Sequence, residues 1–397
     1  MIKIGITKEY KIPNDFRTPF TPTQANEINK LEDFSIVCQS SNIRCFEDKE
    51  YEKKSIKIVE NLDDCNIIFG IKEVPKEKLI ATKTYFMFSH TIKKQLYNRS
   101  LLKEIINKKI RLIDYECLTN DGKRIIAFGK YAGIAGAYNT IMGYGKKFKL
   151  FNLDRLSHYK DTDDLYRFTS KFKLKSKIKI LIIGDGRVAQ GAVELLKSFK
   201  IIEANINDYI NKDYNQPVYC QLGVKDYMKR KDGKGFEEIE YFNNPESFVS
   251  NYQIFSGVTN ILINAAFWDP KSSKLFEEDN IDEKFSATVI GDISCDIDGA
   301  IPCTKMASTI KNPFFDYCIE HREITKPFSK KNNITIMSID NLPSELPRDS
   351  SMFFGKIIKD KILPILKNDE NKIIENATIT KDGKLTENYK YLSDYVG

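Results

Sequence analysis

No stretch of this chain approaches the roughly 18 uninterrupted apolar residues that a membrane-crossing helix needs. Its amino terminus, MIKIGITKEY, carries charge where a secretory signal would be apolar. A cytoplasmic protein without a membrane partner is the expectation. Cysteine occurs eight times but never in CxxC or CxxxH spacing, so no metal site and no disulfide framework is signalled, and the thiols are expected reduced in the core. Low-complexity tracts and internal repeats are missing too. The net charge of +7 is spread through short lysine-rich pieces such as KFKLKSKIKI (171–180), with no aromatic-interleaved basic stripe, so nucleic acid is not an expected partner. A mild positive balance favours anionic small molecules by steering. Only three histidines are present, which limits where imidazole chemistry can sit.

What is there is a packed globule. A length of 397 residues exceeds one compact core and predicts two domains with a cleft between them. Short apolar strands alternate with polar helices from the start: IKIGITK (2–8), FSIVCQS (34–40), CNIIFGIK (65–72), TYFMFSH (84–90) and IRLIDYE (110–116), with helical spacing at 22–33 and 101–109. The Gly- and Ala-rich segment 127–148 predicts a connecting helix packed closely against another backbone. A second strand-helix series runs through KILIIG (179–184), IEANIND (202–208), ILINAAF (261–267), ATVIGDIS (287–294) and ITIMSID (334–340), while the polar stretch 209–250 predicts an excursion. Residues 341–366 read as a proline-punctuated turn and an amphipathic helix returning to the first domain. The predicted fold is therefore two Rossmann-like α/β domains with parallel sheets separated by a cleft, the first of residues 1–135 plus 336–397, the second of 136–335.

Gly184-Asp185-Gly186-Arg187-Val188-Ala189 follows an apolar strand and opens a helix, the context that makes a glycine-rich turn a dinucleotide signal. Gly184 permits the tight turn, Gly186 lets a pyrophosphate approach the backbone, Ala189 lets the helix pack on the strand, and the helix N-terminus faces the phosphates. Asp208, 24 residues after Gly184, is expected to end the next strand, accept hydrogen bonds from the adenosine ribose and repel a 2'-phosphate, favouring NAD with NADP possible; a surface turn residue in NDYINKD is the plainer alternative. The first domain gathers ionisable residues at strand ends: Arg17, Lys72, Glu73, His90, Lys93, Glu116 and Arg124. Parallel strands align their carboxyl ends, so Lys72, His90 and Glu116 are placed to converge. Cationic groups sharing a partly dry site lose basicity, which suits proton transfer in carbon-nitrogen chemistry. A lone strand-end histidine is as often structural.

These residues carry a resemblance. DFRTPFTP (15–22), GIKEVPKEKL (70–79), FSHTIKKQ (88–95), KRIIAFGKYAGIAG (123–136), IIGDGRVAQGA (182–192), GDISCDIDGAI (291–301) and SIDNLPSELP (338–347) are similar, in order, to the lysine-forming saccharopine dehydrogenases, and most to the lysine-ketoglutarate reductase half of bifunctional aminoadipate semialdehyde synthase. The resemblance implies reversible NAD(P)-linked oxidation of saccharopine to lysine and 2-oxoglutarate. It implies an acid-base pair at Lys72 and His90, substrate carboxylates held by Arg17, Lys93 and Arg124, and carboxylates at Glu73 and Glu116 that tune the pair or receive an amino group. Asp292 falls where an acidic residue lies beside the nicotinamide. The same scaffold resembles alanine dehydrogenase, so an amino-acid dehydrogenase with a smaller substrate is the runner-up. A non-catalytic nucleotide sensor would need no cationic cluster in the first domain.

Overall fold

The computed structural model describes residues 1–397, which divide into two compact units, Met1–Phe128 with Pro347–Gly397 and Gly129–Leu346. In the first unit, β1 (Ile2–Ile6), β2 (Phe34–Gln39), β3 (Lys57–Val59), β4 (Ile67–Phe69), β5 (Thr84–Met87) and β6 (Arg111–Asp114) form a parallel sheet in the order β3-β2-β1-β4-β5-β6. Strand β4 is buried at every residue, as a strand covered on both faces must be. Helix Pro22–Asn29 starts on a reciprocal Thr21/Gln24 capping box. The tail completes this unit: strand Thr378–Lys381 pairs antiparallel with β6, and helix Pro347–Ile357 buries Phe354 against Phe128, ring centroids 4.5 Å apart.

The second unit has its own eight-stranded sheet. Strands β7 (Lys179–Ile183), β8 (Ile202–Glu203), β9 (Val218–Leu222), β10 (Ile261–Asn264), β11 (Val289–Asp292) and the later strand Ile334–Met337 run parallel in the order β8-β9-β7-β10-β11-Ile334–Met337. Two antiparallel strands, Phe314–Cys318 and Glu323–Thr325, extend the far edge. Helix Gly129–Phe148 lies against helix Arg187–Ser198. No helix is long and apolar enough to cross a membrane.

Three expectations change. The limits at 135 and 336 fall inside helix Gly129–Phe148 and strand Ile334–Met337, both whole elements of the second unit. The strand expected over 202–208 ends at Glu203, because the Asn205 side chain accepts from Asp208 N and caps a helix, Ile206–Asn211. The excursion 209–250 contains β9, an interior strand: its short apolar run VYCQL is hidden between Lys/Asn-rich flanks.

Candidate active site

Strands β4, β5 and β6 are neighbours, so the residues just past their carboxyl ends meet along one edge of the first sheet. Glu73 follows β4, and its Oε1 accepts from Lys11 Nζ at 3.1 Å. His90 follows β5, with Nδ1 3.5 Å from Glu73 Oε2. Burial works to raise Glu73, but the His90 contact and the nearby Lys11 outweigh it and hold the carboxyl at about 2, so it stays ionised. His90 itself is held at φ 53, in the left-handed region that non-glycine residues avoid, and opens the short turn Thr91–Lys93. That turn delivers Lys93 Nζ to 3.5 Å from Glu116 Oε1. Arg124, on the hairpin Thr119–Asn120/Lys123–Arg124, reaches the same oxygen at 3.0 Å. Oε2 of Glu116 is buried and accepts no hydrogen bond, and Oε2 of Glu73 has only the long approach of His90. Buried acceptors left open in this way invite a donor from a ligand.

Buried Asp114 ties the two strand ends together: Oδ2 accepts from Ser89 N and Oγ, and Oδ1 from Glu116 N. Sequence reasoning missed it, together with Lys11 and Glu9. All three are ionisable residues at or just beyond strand ends, the same signal that marked Lys72 and His90. Arg17 sits in a different setting from Lys93 and Arg124. Its guanidinium is buried, pairs with Asp15 through Nε at 2.9 Å and through Nη2, and lies 4.2 Å over the Phe128 ring. It contacts the protein's own Asp15 carboxylate and Phe128 ring, whereas Lys93 and Arg124 are exposed.

In the second unit Gly184 ends β7 at φ +106, where a Cβ would stand 3.1 Å from the Ala265 carbonyl oxygen. Gly186 is the N-cap of helix Arg187–Ser198 and provides no capping side chain, a Cβ on it would meet nothing within 4 Å, and Ala189 is buried in the first turn. Arg187 is exposed at the first helical position. An uncapped helix N-terminus beside open backbone fits a pyrophosphate, which would be held by the N–H groups of residues 186–189.

Asp208 is a correction. It lies on helix Ile206–Asn211, paired with Lys212 at 2.9 Å, behind an edge strand that does not touch β7. The strand beside β7 is β9, whose end reaches Gly223. There, Oδ2 of Asp185 and of Asp226 lie 3.1 and 3.5 Å from where a Cβ on Gly223 would stand, and Gly223 N donates to Asp226 at 2.9 Å. Asp292, at the end of β11, is fully buried; burial raises its carboxyl, and it accepts from Asn264, Ser294 and Thr304. Its oxygens are occupied by the protein, so it braces the strand ends.

Residues 5–135 match the family described as "Alanine dehydrogenase/PNT, N-terminal domain". The mitochondrial alpha-aminoadipic semialdehyde synthase of Rattus norvegicus is 29% identical over 426 residues, covering 95% of this chain and 46% of that protein. The chain thus spans about half the length of that relative. The lysine-forming, NAD(+)-linked saccharopine dehydrogenase of Candida albicans is 26% identical over 394 residues, 91% of each chain. The chain is thus similar in sequence to proteins named alpha-aminoadipic semialdehyde synthase and lysine-forming saccharopine dehydrogenase. A solved L-alanine dehydrogenase covers all of both chains with a TM-score of 0.64 at 11% identity, so that scaffold is shared as a fold.

Proposed function

We propose that this chain is a nicotinamide-linked dehydrogenase of the saccharopine type, oxidising the secondary amine of saccharopine and releasing L-lysine and 2-oxoglutarate. The observation that carries the reading is the edge of the first sheet, where the Glu73–His90 pair and the Lys93–Glu116–Arg124 group stand on adjacent strands with buried carboxylate oxygens still open. When bound, the nicotinamide accepts the hydride from the substrate carbon. The chain's own residues manage protons and charge. Lys72 and His90 take a proton from the amine before oxidation, one from the water that adds to the resulting imine and one from the carbinol hydroxyl as the C–N bond breaks, and return one to the leaving amine. Ionised Glu73 faces His90 Nδ1, leaving Nε2 for the substrate. Lys93 and Arg124 hold carboxylate, and Glu116 Oε2 accepts from an amino group.

The discriminating assay follows absorbance at 340 nm in the reductive direction. Lysine plus 2-oxoglutarate is expected to consume NADH; ammonia plus pyruvate, the alanine dehydrogenase pair, is expected to give little rate. The opposite ranking would transfer the chain to the smaller-substrate reading.

Arg124→Ala tests the two-ended substrate. A charge-assisted carboxylate contact contributes about 1.5 to 3 kcal/mol, so KM for 2-oxoglutarate should rise roughly 10- to 150-fold with NADH affinity unchanged. Lost NADH affinity at an unaltered KM would place Arg124 elsewhere.

For the cofactor, NAD is favoured over NADP, now through Asp185 and Asp226 beside Gly223 and not through Asp208. Two carboxylates can accept from ribose hydroxyls and would repel a 2'-phosphate. Fluorescence titration should find NADH bound more tightly than NADPH, with Asp185→Asn narrowing the gap and Asp208→Asn leaving it. Tighter NADPH binding by the unaltered protein would overturn this assignment.

A further inference from the structure

Beyond Phe69 the chain leaves the first sheet, and the next three residues are pinned from both sides. Gly70 N donates to Phe86 O, and Phe88 N donates to Ile71 O at 2.9 Å, so the strand end that leads to His90 holds this segment from one flank. From the other flank, past the end of β1, comes Glu9. Its Oε1 accepts from Ile71 N at 2.7 Å and its Oε2 from Lys72 N at 2.8 Å. Glu9 is buried, and Gly70 keeps the approach clear: a Cβ there would stand 2.8 Å from the Thr7 methyl and 3.7 Å from Glu9 Oε1.

We propose that Glu9 is a positioning residue for the reaction, a carboxyl clamp on the Ile71–Lys72 peptides that fixes where the Lys72 side chain departs relative to His90. The inference rests on the reading of Lys72 as an acid-base group. Three features favour a clamp over a generic buried contact. Both oxygens are used, on consecutive N–H groups, which fixes the peptide plane orientation as well as its position. The opposite flank is anchored two residues before His90, so the two proposed proton carriers share one frame of hydrogen bonds. Keeping a carboxyl here is costly: burial and the neighbouring Asp15 push Glu9 up to about 8, against the pull of the two N–H groups and Arg17. Tyr115, just past the end of β6 and raised mainly by burial, is another titratable group near it. A glutamine is nearly the same shape but turns one acceptor into a donor, leaving one peptide N–H unpaired.

The experiment is a double-mutant cycle on the full chain with Glu9→Gln, Lys72→Met and the double variant, reading kcat, the 2-oxoglutarate KM and NADH affinity by fluorescence. Glu9→Gln is expected to lower kcat about 10- to 100-fold with NADH affinity unchanged, and to add little once Lys72 is already Met. Should Glu9→Gln not fold, Glu9→Asp, which keeps the carboxyl but withdraws it by one methylene, is read on the same cycle. Losses that simply multiply in the double variant, or a Glu9 variant with wild-type kcat, overturn the clamp while leaving Lys72 in place. A Lys72→Met protein that keeps wild-type turnover overturns the acid-base reading itself, and the clamp with it.

Discussion

Lys72→Met and His90→Gln are each expected to lower turnover by about 10- to 10⁴-fold, with much less effect on dinucleotide affinity. The span is wide because a missing proton carrier is partly replaced by water. The proposed cleavage takes protons from the amine, the added water and the carbinol hydroxyl and returns one to the leaving amine. Around His90 the structure offers a fixed partner, since Glu73 stays ionised at about 2 and faces Nδ1. Both variants should be assayed from acid to alkaline pH. Rates close to wild type throughout, for both, would remove the acid-base assignment.

Five parallel strands of the first unit, β1, β2, β4, β5 and β6, were legible from their apolar runs, while β3 and the tail strand Thr378–Lys381 were not; the alignment of residues 72–73, 90 and 116 was legible too, because a parallel sheet places successive strand ends on one edge whatever lies between them. Side-chain commitments were not legible. Nothing in DFRTPFTP tells that Arg17 turns back two residues onto Asp15 and under Phe128, a long-range packing result. The Asp208 error is instructive for a different reason. Counting about 20 residues from the glycine turn assumes that the next strand lies beside the first, but here a two-residue edge strand and a capped helix intervene before β9 takes that place. Spacing rules carry a topology with them, and the polar flanks of β9 concealed the exception. Glu9 stood in view at a strand end, but its partners are the Ile71 and Lys72 N–H groups past the end of β4, a contact that only the fold creates.

The close packing expected of the Gly/Ala-rich segment 127–148 leads to the second large effect, the substitution Gly133→Ala. Where helix Gly129–Phe148 crosses helix Arg187–Ser198, a Cβ on Gly133 would stand 1.9 Å from the Val188 carbonyl oxygen, and one on Gly191 would stand 2.0 Å from the Lys130 carbonyl oxygen. Both obstacles are backbone, so no rotamer relieves them, and the helices must part by roughly 1 Å to admit even a methyl group. Overpacking of this kind costs about 1 to 3 kcal/mol, enough to lower the melting temperature by several degrees. A functional loss should accompany it, because Val188 is in the first turn of the helix whose N-terminus follows Gly186. Moving that turn displaces the N–H groups proposed to hold the pyrophosphate, so NADH affinity should fall about tenfold or more. Gly235→Ala is the control, since a Cβ there meets nothing within 4 Å; it should change neither quantity. Calorimetry with an NADH titration on the three proteins decides the matter: a Gly133→Ala variant that melts and binds like wild type would mean that this helix crossing neither limits stability nor sets the phosphate turn.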